Sequence, residues 1–288
     1  LYEYTMMPFG LKNASQTFQR YIDKILRPYR EFTLSYIDDI IVFSRNMEDH
    51  QKHVDIVRNL LKDHSLKIKE EKCSIAQKEV DFLGFNISSS GIRPNPGKVQ
   101  ALITYIKPNN AKGLRRFIGA VTFYQWMIPN LSETMAPLHD MVSRSSKNKS
   151  SLKWTETESR AFEDSKQKLI NITKVISPDF DRKFILCTDA SNIGIGASLN
   201  HERCDGSLQP ISFFSRKLSS TEQKYSTFDR ELLAVYLSIK NFKHYRETNK
   251  FCLKTDHKPL IHISSMKNPS NRQWRWINYI CQFNFNIH

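Results

Sequence analysis

The sequence has few of the features that mark secreted, zinc-binding or membrane-spanning proteins. Its 288 residues contain five cysteines, an odd number, scattered and with no C-x-x-C pair. This usage argues against a disulfide framework or a zinc site and favours a reducing compartment. The longest apolar runs, such as residues 40–43, fall far short of the roughly 20 residues that span a bilayer. We therefore expect an intracellular protein with no membrane partner.

Two further absences concern the ends of the sequence. It does not begin with methionine, and it stops at His288 within an apolar alternation, so we expect a fragment of a longer protein.

With 40% hydrophobic and 25% charged residues the chain can build ordinary cores, which excludes wholesale disorder. Its length suggests two or three domains.

Acidic residues are scarce in the middle of the chain. Residues 1–90 hold 13 basic and 13 acidic side chains, whereas residues 91–153 hold 10 basic and 2 acidic, a net charge of +8. Leu114, Phe117, Ile118 and Val121 have helical spacing there, and Lys112, Arg115 and Arg116 lie off that apolar stripe. So basic a segment suits either a polyanion or a membrane surface, and the aromatics Tyr124 and Trp126 that follow favour nucleic acid.

Hydrophobic periodicity predicts an α+β chain. We predict helices at residues 15–26, 50–63, 155–169, 226–246 and 272–280. We predict strands at residues 80–88, 183–188, 194–200, 209–215 and 251–255. A stretch rich in Ser, Lys and Asn, residues 143–151, predicts a linker. The pattern therefore indicates two α+β domains joined by the basic segment.

Asp38 and Asp39 separate two apolar runs, residues 34–37 and 40–43. Such runs with two residues between them are typical of a hairpin. A plain turn is one explanation of the pair, because Asp favours turns. The other is a cation site, because adjacent carboxylates repel each other unless a cation neutralises them. Oxygen ligands without nearby His or Cys would select Mg²⁺ rather than zinc.

Three acids in the second half occupy positions where charge is costly. Asp189 and Asp256 end apolar strands, and Glu231 lies about 40° around its helix from Val235, at the edge of the buried stripe. For Asp256 a strand-end turn before Pro259 is the alternative explanation, and we expect the adjacent His257 to be structural. Two acids from strands and one from a helix fit a two-metal site.

Motifs along the chain carry a specific resemblance. In order they are Met7-Pro8-Phe9-Gly10-Leu11-Lys12-Asn13-Ala14, Tyr36-Ile37-Asp38-Asp39, Glu71-Lys72-Cys73, Phe82-Leu83-Gly84, Gly91-Ile92-Arg93-Pro94, Leu114-Arg115-Arg116-Phe117-Ile118-Gly119 and Ile128-Pro129-Asn130. Their order and spacing resemble the reverse transcriptase of gypsy-type LTR retrotransposon Pol polyproteins. Three later motifs, Thr188-Asp189-Ala190-Ser191, Arg230-Glu231-Leu232-Leu233-Ala234 and Thr255-Asp256-His257-Lys258-Pro259-Leu260, resemble the ribonuclease H domain of the same elements.

For the polymerase half, the resemblance implies a role for each matching residue. Asp38 and Asp39 would bind two Mg²⁺ ions, with Mn²⁺ as an alternative ion, at the primer 3′-hydroxyl and the incoming triphosphate. Phe9 and Gly10 would lie under the nucleotide, and Leu83 and Gly84 would contact the primer. Lys72 would face the leaving phosphates, with a solvated surface lysine as the alternative. A third metal-binding Asp of the family would lie upstream of Leu1.

For the ribonuclease half, Asp189, Glu231 and Asp256 would be catalytic metal ligands in a fold with a mixed five-stranded sheet. A fourth family Asp would lie beyond His288, so we expect the fragment to be inactive alone. The implied partners are RNA template, DNA primer, RNA/DNA hybrid and dNTPs, together with the protease and integrase domains of a Pol polyprotein. The protein would act in a cytoplasmic particle, in the nucleus or in both.

The resemblance also predicts the domain limits. Residues 1–90 would be the C-terminal part of the polymerase palm, 91–142 the thumb or connection, 143–153 a linker and 154–288 a truncated ribonuclease H-like domain. The enzymatic hypothesis is an RNA-directed DNA polymerase with ribonuclease H activity. The alternative is a decayed or domesticated copy that binds nucleic acid without catalysis. A stand-alone nuclease is disfavoured, because half of the chain would then have no role.

Overall fold

The computed structural model describes residues 4, 7–8, 10–148, 152–245, 251–266 and 268–287. The helices are α1 (Ala14–Leu26), α2 (Met47–Asp63), α3 (Pro96–Ile103), α4 (Ala111–Thr122), α5 (Leu131–Thr134), α6 (Ala136–Asn148), α7 (Glu156–Ile170), α8 (Thr227–Asn241) and α9 (Asn271–Ile280). The strands are β1 (Thr33–Tyr36), β2 (Asp39–Val42), β3 (Glu79–Phe82), β4 (Phe85–Ser88), β5 (Gly91–Pro94), β6 (Phe184–Ala190), β7 (Gly194–Glu202), β8 (Leu208–Lys217), β9 (Phe251–Thr255) and β10 (Phe285–Ile287). Among the described residues, no helix is both long and apolar enough to cross a membrane.

Backbone packing divides the chain into two units. The first unit comprises residues 1–83 and 87–89, and the second comprises residues 84–86 and 90–288. Strands β3, β4 and β5 form a small sheet in that order. The predicted domain limits at residues 90, 142 and 153 stay predictions. The predicted linker begins inside α6, however, because that helix continues to Asn148.

The first unit is built on the β1–β2 hairpin. Phe18, Ile22 and Leu26 repeat every four residues and form the apolar side of α1. That side packs against Ile40 and Val42, which alternate along β2. The buried residues of this core are Ile22, Leu26, Val57 and Leu61. The core holds the hairpin by its strands and leaves its turn exposed.

The second unit has two apolar layers with a sheet between them. The sheet has the order β10-β9-β6-β7-β8; β9 is parallel to both β6 and β10, and the other pairs are antiparallel. Neighbouring residues of a strand point to opposite faces. On β8, Phe214 packs with the core shared with α8, whereas Phe213 packs with a core formed largely by α4, α6 and α7. The sheet is therefore covered on both faces.

Most predicted elements are present with shifted ends, and two differ. The predicted strand 80–88 is a hairpin, β3 and β4, because the chain turns at Leu83 and Gly84, whose φ angles are +51° and +89°. The predicted helix 226–246 ends at Asn241 and is followed by a short 3₁₀ turn, Lys243–Tyr245; residue 246 lies outside the described residues. Both errors arise where periodicity continues past a local break in backbone conformation.

Candidate functional site

Three carboxylates of the second unit meet at one end of the sheet. Asp189 is near the end of β6, Asp256 follows β9 directly, and Glu231 lies in the second turn of α8. Strands β6 and β9 are parallel, with Thr188 opposite Thr255 in the register. Because parallel strands end at the same edge of a sheet, the next residues, Asp189 and Asp256, are neighbours.

Helix α8 brings the third carboxylate to this edge. Leu232 and Val235 are fully buried in the core with Leu186 and Leu253 of the central strands. Glu231 precedes this apolar stripe and is drawn inside with it, leaving 4% of its surface exposed. Because Glu231 lies about 40° around the helix from Val235, burial of this stripe places it at the edge of the core.

The three side chains are close enough to share an ion. Each offers a carboxylate oxygen, and these oxygens lie within 4.8 Å of one another. Asp189 and Asp256 are exposed to solvent, whereas one oxygen of Glu231 is buried with no hydrogen-bond partner. Among the described residues this is the one group of three acidic, His or Cys side chains with that spacing. Its donors are all hard oxygens, the set that Mg²⁺ and Mn²⁺ favour.

The electrostatics of the group are unfavourable without a cation. Burial, followed by the negative charges of Asp256 and Asp189, raises the pKa of Glu231 from 4.5 to about 7. A backbone hydrogen bond from Ala190 and the charge of Arg230 oppose this rise. A nearby divalent ion stabilises the ionised form of a carboxylate, so ion binding would relieve the repulsion among these three side chains.

The surrounding side chains hold the turn after Asp189. Arg230 donates to the carbonyl of Ser191 at 3.3 Å and also to the side chain of Asn192. Its guanidinium ties the β6–β7 turn to α8, on which Glu231 lies. His257 packs its ring against Phe228 at 5.8 Å between centroids, and its structural role stays a prediction.

Two further residues at this site were missed by sequence reasoning. Glu133 accepts a hydrogen bond from the Ser191 hydroxyl at 3.1 Å. Asn130 and Glu133 line, with Asp189, a cavity of about 10 Å³, roughly the room of a single water molecule. Both precede the predicted ribonuclease domain in the sequence. The pattern Ile128-Pro129-Asn130 drew attention to Asn130, but no spacing rule connects it with Asp189.

The acids of the first unit have a different setting. Asp38 lies in the β1–β2 turn and Asp39 begins β2, and both are exposed. The two turn residues are Ile37 and Asp38, and Ile37 has φ +53°, a costly conformation for a β-branched residue. Within the described ranges they do not join a third acidic, His or Cys ligand.

The remaining predicted residues of the polymerase half are partly described. Phe9 lies outside the described residues. Gly10 is exposed with φ +88°, and Lys72 is exposed at the end of a 3₁₀ turn. Leu83 and Gly84 form the β3–β4 turn, where an added Cβ on Gly84 would lie 2.8 Å from Nζ of Lys98. Their assigned roles stay predictions.

The basic helix has the predicted arrangement. On α4, Leu114, Phe117 and Val121 are fully buried and Ile118 is 8% exposed. The opposite side exposes Lys112, Arg115 and Arg116. The helix therefore presents its charge to solvent on a face that its core contacts hold fixed.

Two family models match this chain, one largely in the first unit and one in the second. Residues 1–87 match the family model described as reverse transcriptase (RNA-dependent DNA polymerase). Residues 179–283 match the RNase H-like domain found in reverse transcriptase. These two regions of the chain are therefore similar to a reverse transcriptase and to the RNase H-like domain found in reverse transcriptase. Both matches lie in one chain and in the order that the motifs predicted; together with the transposon relatives they confirm the resemblance to a retrotransposon Pol polyprotein.

Two relatives of this chain are transposon polyproteins. The chain is 38% identical over 288 residues to the retrovirus-related Pol polyprotein from transposon 297 of Drosophila melanogaster, covering 99% of the chain and 26% of the relative. It is 34% identical over 292 residues to the transposon Tf2-3 polyprotein of Schizosaccharomyces pombe, covering 100% of the chain and 22% of the relative. The chain thus spans about a quarter of these relatives.

Solved structures share the fold. The foamy viral protease-reverse transcriptase in complex with dsDNA matches with a TM-score of 0.86 at 20% identity, over 99% of this chain and 60% of that chain. The same enzyme in complex with RNA/DNA hybrid matches with a TM-score of 0.83 at 20% identity, over 99% and 39%. The predicted α+β class with a mixed five-stranded sheet is confirmed.

Proposed function

We propose that this chain is part of a retrotransposon Pol protein that synthesises DNA on an RNA template and hydrolyses the RNA of the resulting hybrid. The observation that carries the proposal is the convergence of Asp189, Glu231 and Asp256, from three separate elements, to within 4.8 Å between their carboxylate oxygens. A general nucleic-acid-binding domain gains nothing from three repelling acids, one of them almost fully buried.

The ribonuclease chemistry follows from the ligands. Divalent ions bound there, Mg²⁺ or Mn²⁺, would supply charge neutralisation and a more acidic water for attack on phosphorus. Asp189 and Asp256, which are exposed, would face the RNA strand, and Glu231 would hold an ion from the protein side with its unpartnered oxygen. In the step, the water oxygen bonds to phosphorus as the bond to the leaving 3′-oxygen breaks, and that oxygen gains a proton.

The polymerase chemistry would use the hairpin acids. Asp38 and Asp39 would hold two Mg²⁺ ions, which would align the primer 3′-hydroxyl with the α-phosphate of a dNTP. The hydroxyl oxygen would bond to that phosphorus while the bond to pyrophosphate breaks. Exposure at the end of a short hairpin supports this role, because both carboxylates can reach a duplex without rearrangement of the core.

Nucleic acid is the proposed partner of the basic helix. Lys112, Arg115 and Arg116 lie on the solvent side of α4, and on the same helix Gly119 has no atom within 4 Å of an added Cβ. Fixed cations beside an open backbone suit close approach of phosphates. RNA template, DNA primer and their hybrid are the ligands we propose, with dNTPs at the hairpin and the remaining Pol domains as partners in the polyprotein.

Residues 1–288 alone should have neither activity under this proposal. The family resemblance assigns a further metal-binding Asp to each site outside this range. The proposal is therefore tested in the complete Pol protein, by cleavage of a labelled RNA strand in a hybrid with Mg²⁺. Asp189→Asn and Glu231→Gln should each abolish cleavage, with Asp205→Asn, a change of an exposed Asp at the other end of β7, as the control. Normal cleavage by Asp189→Asn would contradict the ribonuclease assignment.

A further inference from the structure

A segment that precedes the ribonuclease-like fold in sequence is tied to the sheet of that fold. The backbone N–H of Ser132 donates to Oγ of Ser215 at 3.0 Å, and its hydroxyl donates to the Ser215 carbonyl at 2.8 Å. Glu133 accepts from the Ser191 hydroxyl at 3.1 Å. The segment is thus held at two points, on β8 and on the β6–β7 turn, and its position relative to Asp189 is fixed.

Asn130, two residues before Ser132, lies beside Asp189. In the antiparallel register of β6 and β7, Asp189 is opposite Gly196. Side chains of opposite residues lie on the same face of a sheet, so the missing side chain of Gly196 leaves space next to Asp189. Asn130 fills that space: a Cβ on Gly196 would lie 2.3 Å from Oδ1 of Asn130. Asn130 and Asp189 also line the same small cavity.

The side-chain amide of Asn130 is available to a ligand. Its backbone has φ +51° and ψ +35°, the left-handed conformation that Asn tolerates better than most residues. The side chain is exposed, and within the part of the chain that the structure describes its amide makes no hydrogen bond. An amide in this state offers a donor and an acceptor to a ligand at the Asp189 site.

We propose that Asn130 contacts the sugar–phosphate of the RNA strand beside the bond that is cut. The 2′-hydroxyl is both a donor and an acceptor, as the amide is, and it is the group that distinguishes RNA from DNA. Asn130 would thereby add a substrate contact from outside the region that matches the RNase H-like family model, residues 179–283. This inference rests on the proposed ribonuclease function.

The test is a mutant cycle with modified substrates in the complete Pol protein. Asn130→Gly removes the amide and keeps the left-handed backbone unstrained. Asn171→Ala, which removes an exposed amide that makes no hydrogen bond among the described residues, is the matched control. Cleavage of hybrids is measured with a single 2′-deoxy or a single methylphosphonate substitution at each position around the cut. We expect Asn130→Gly to lower kcat/KM for cleavage about tenfold, the loss of one hydrogen bond.

The substrates separate a contact from a structural effect. At the contacted nucleotide, one of the two substitutions should slow cleavage by the wild type but not slow cleavage by Asn130→Gly further. If that substitution is 2′-deoxy, Asn130 contacts the 2′-hydroxyl; if it is methylphosphonate, Asn130 contacts the phosphate. Asn171→Ala should behave as the wild type throughout. If every substitution slows both proteins by the same factor, Asn130 touches no part of the strand and the inference is wrong.

Two controls distinguish this inference from the function on which it rests. Thermal unfolding and primer extension of Asn130→Gly should match the wild type, because the amide makes no internal hydrogen bond among the described residues. If Asp189→Asn abolishes cleavage and Asn130→Gly cleaves as the wild type does, the contact is wrong and the ribonuclease proposal stands. If Asp189→Asn cleaves normally, the ribonuclease proposal itself is wrong.

Discussion

The two groups of acids in this chain are built in opposite ways. Asp38 and Asp39 are sequence neighbours at an exposed hairpin end. Asp189, Glu231 and Asp256 are up to 67 residues apart in sequence and are brought together by two parallel strands and a helix. Glu231 alone is buried, with 4% of its surface exposed.

This difference in construction has an energetic consequence. An exposed pair is solvated by water and costs the fold little when no ion is bound. A buried carboxylate beside two others costs the fold free energy until a proton or a cation neutralises it. We therefore expect the stability of the second unit to depend on pH and divalent ions and that of the first unit to be insensitive to both.

The largest effects should separate the two sites by activity. In the complete Pol protein, Asp38→Asn should lower DNA synthesis on a primed RNA template by roughly 10³-fold and leave RNA cleavage within about twofold, because a metal ligand supplies several kcal/mol of transition-state stabilisation. Asp256→Asn should do the reverse. Primer extension and hybrid cleavage on one preparation measure both. Loss of both activities in either variant would show that the sites are not independent.

The basic helix should affect both activities together. Replacing Lys112, Arg115 and Arg116 with Ser should weaken duplex binding about tenfold to a hundredfold at moderate salt. It should also reduce the dependence of log affinity on log salt, by up to about 0.9 for each phosphate that the helix no longer neutralises. Fluorescence anisotropy across a salt series gives both quantities.

A charge-matched control triple comes from the first unit. Arg45, Arg58 and Lys62 lie in and just before α2, and their replacement with Ser removes the same number of positive charges. This control should keep most of the salt dependence of the wild type. An unchanged slope in the α4 variant would mean that the helix does not touch phosphate.

The pH dependence of stability should belong to the second unit. The pKa of Glu231 is raised from 4.5 to about 7 on folding, so between these pH values the folded chain binds more protons than the unfolded chain. Without divalent ions, the free energy of unfolding should therefore fall as pH rises through this window, by about 1–2 kcal/mol after allowance for solvent screening.

Two variants isolate that contribution. Glu231→Gln should remove the pH-dependent fall in the free energy of unfolding and stabilise the ion-free chain at pH 8. Asp39→Asn should leave both the pH dependence and the stability at pH 8 unchanged. Denaturant unfolding of residues 1–288 at pH 5 and pH 8 measures the difference. At pH 8, added Mg²⁺ should raise the free energy of unfolding of the wild-type chain and have little effect on that of Glu231→Gln. A wild type with equal stability at both pH values would contradict the electrostatic account.

The smallest effect concerns the β3–β4 turn. Leu83 has φ +51° beside Gly84 at φ +89°, the conformation of a two-residue turn that favours Asn-Gly. Leu83→Asn should raise stability by up to about 1 kcal/mol. If Leu83 also contacts the primer, the same variant should reduce primer extension. Thermal unfolding and extension assays measure the two, and a variant less stable than the wild type would show that the Leu side chain outweighs the backbone strain.

The sequence predicted what depends on near neighbours. Helical or alternating spacing within a few residues predicts three features: the hairpin around Asp38, the strand that carries Asp189 near its end, and the apolar stripe of Leu114, Phe117, Ile118 and Val121. The turn at Leu83 escaped because apolar alternation continues through it. Helix α6 was not predicted, and its C-terminal end was assigned to a linker because Ser, Lys and Asn are typical of linkers.

The parts that escaped prediction at the site depend on distant contacts. The positions of Asn130 and Glu133 are set by hydrogen bonds that Glu133 and Ser132 make to Ser191 and Ser215, 58 and 83 residues further along the chain. No periodicity carries such information. The acids themselves were identified from motifs, but the burial of Glu231, and so its raised pKa, needed the packing of α8 on the sheet.

Binding of Mn²⁺ to residues 1–288, followed by electron paramagnetic resonance, tests the central claim most directly. The triple variant Asp189→Asn, Glu231→Gln, Asp256→Asn should lose at least one bound ion relative to the wild type at pH 8, with an unchanged far-ultraviolet circular dichroism spectrum. An equal number of ions bound with equal affinity by both proteins would contradict the claim that these three carboxylates form a divalent metal site.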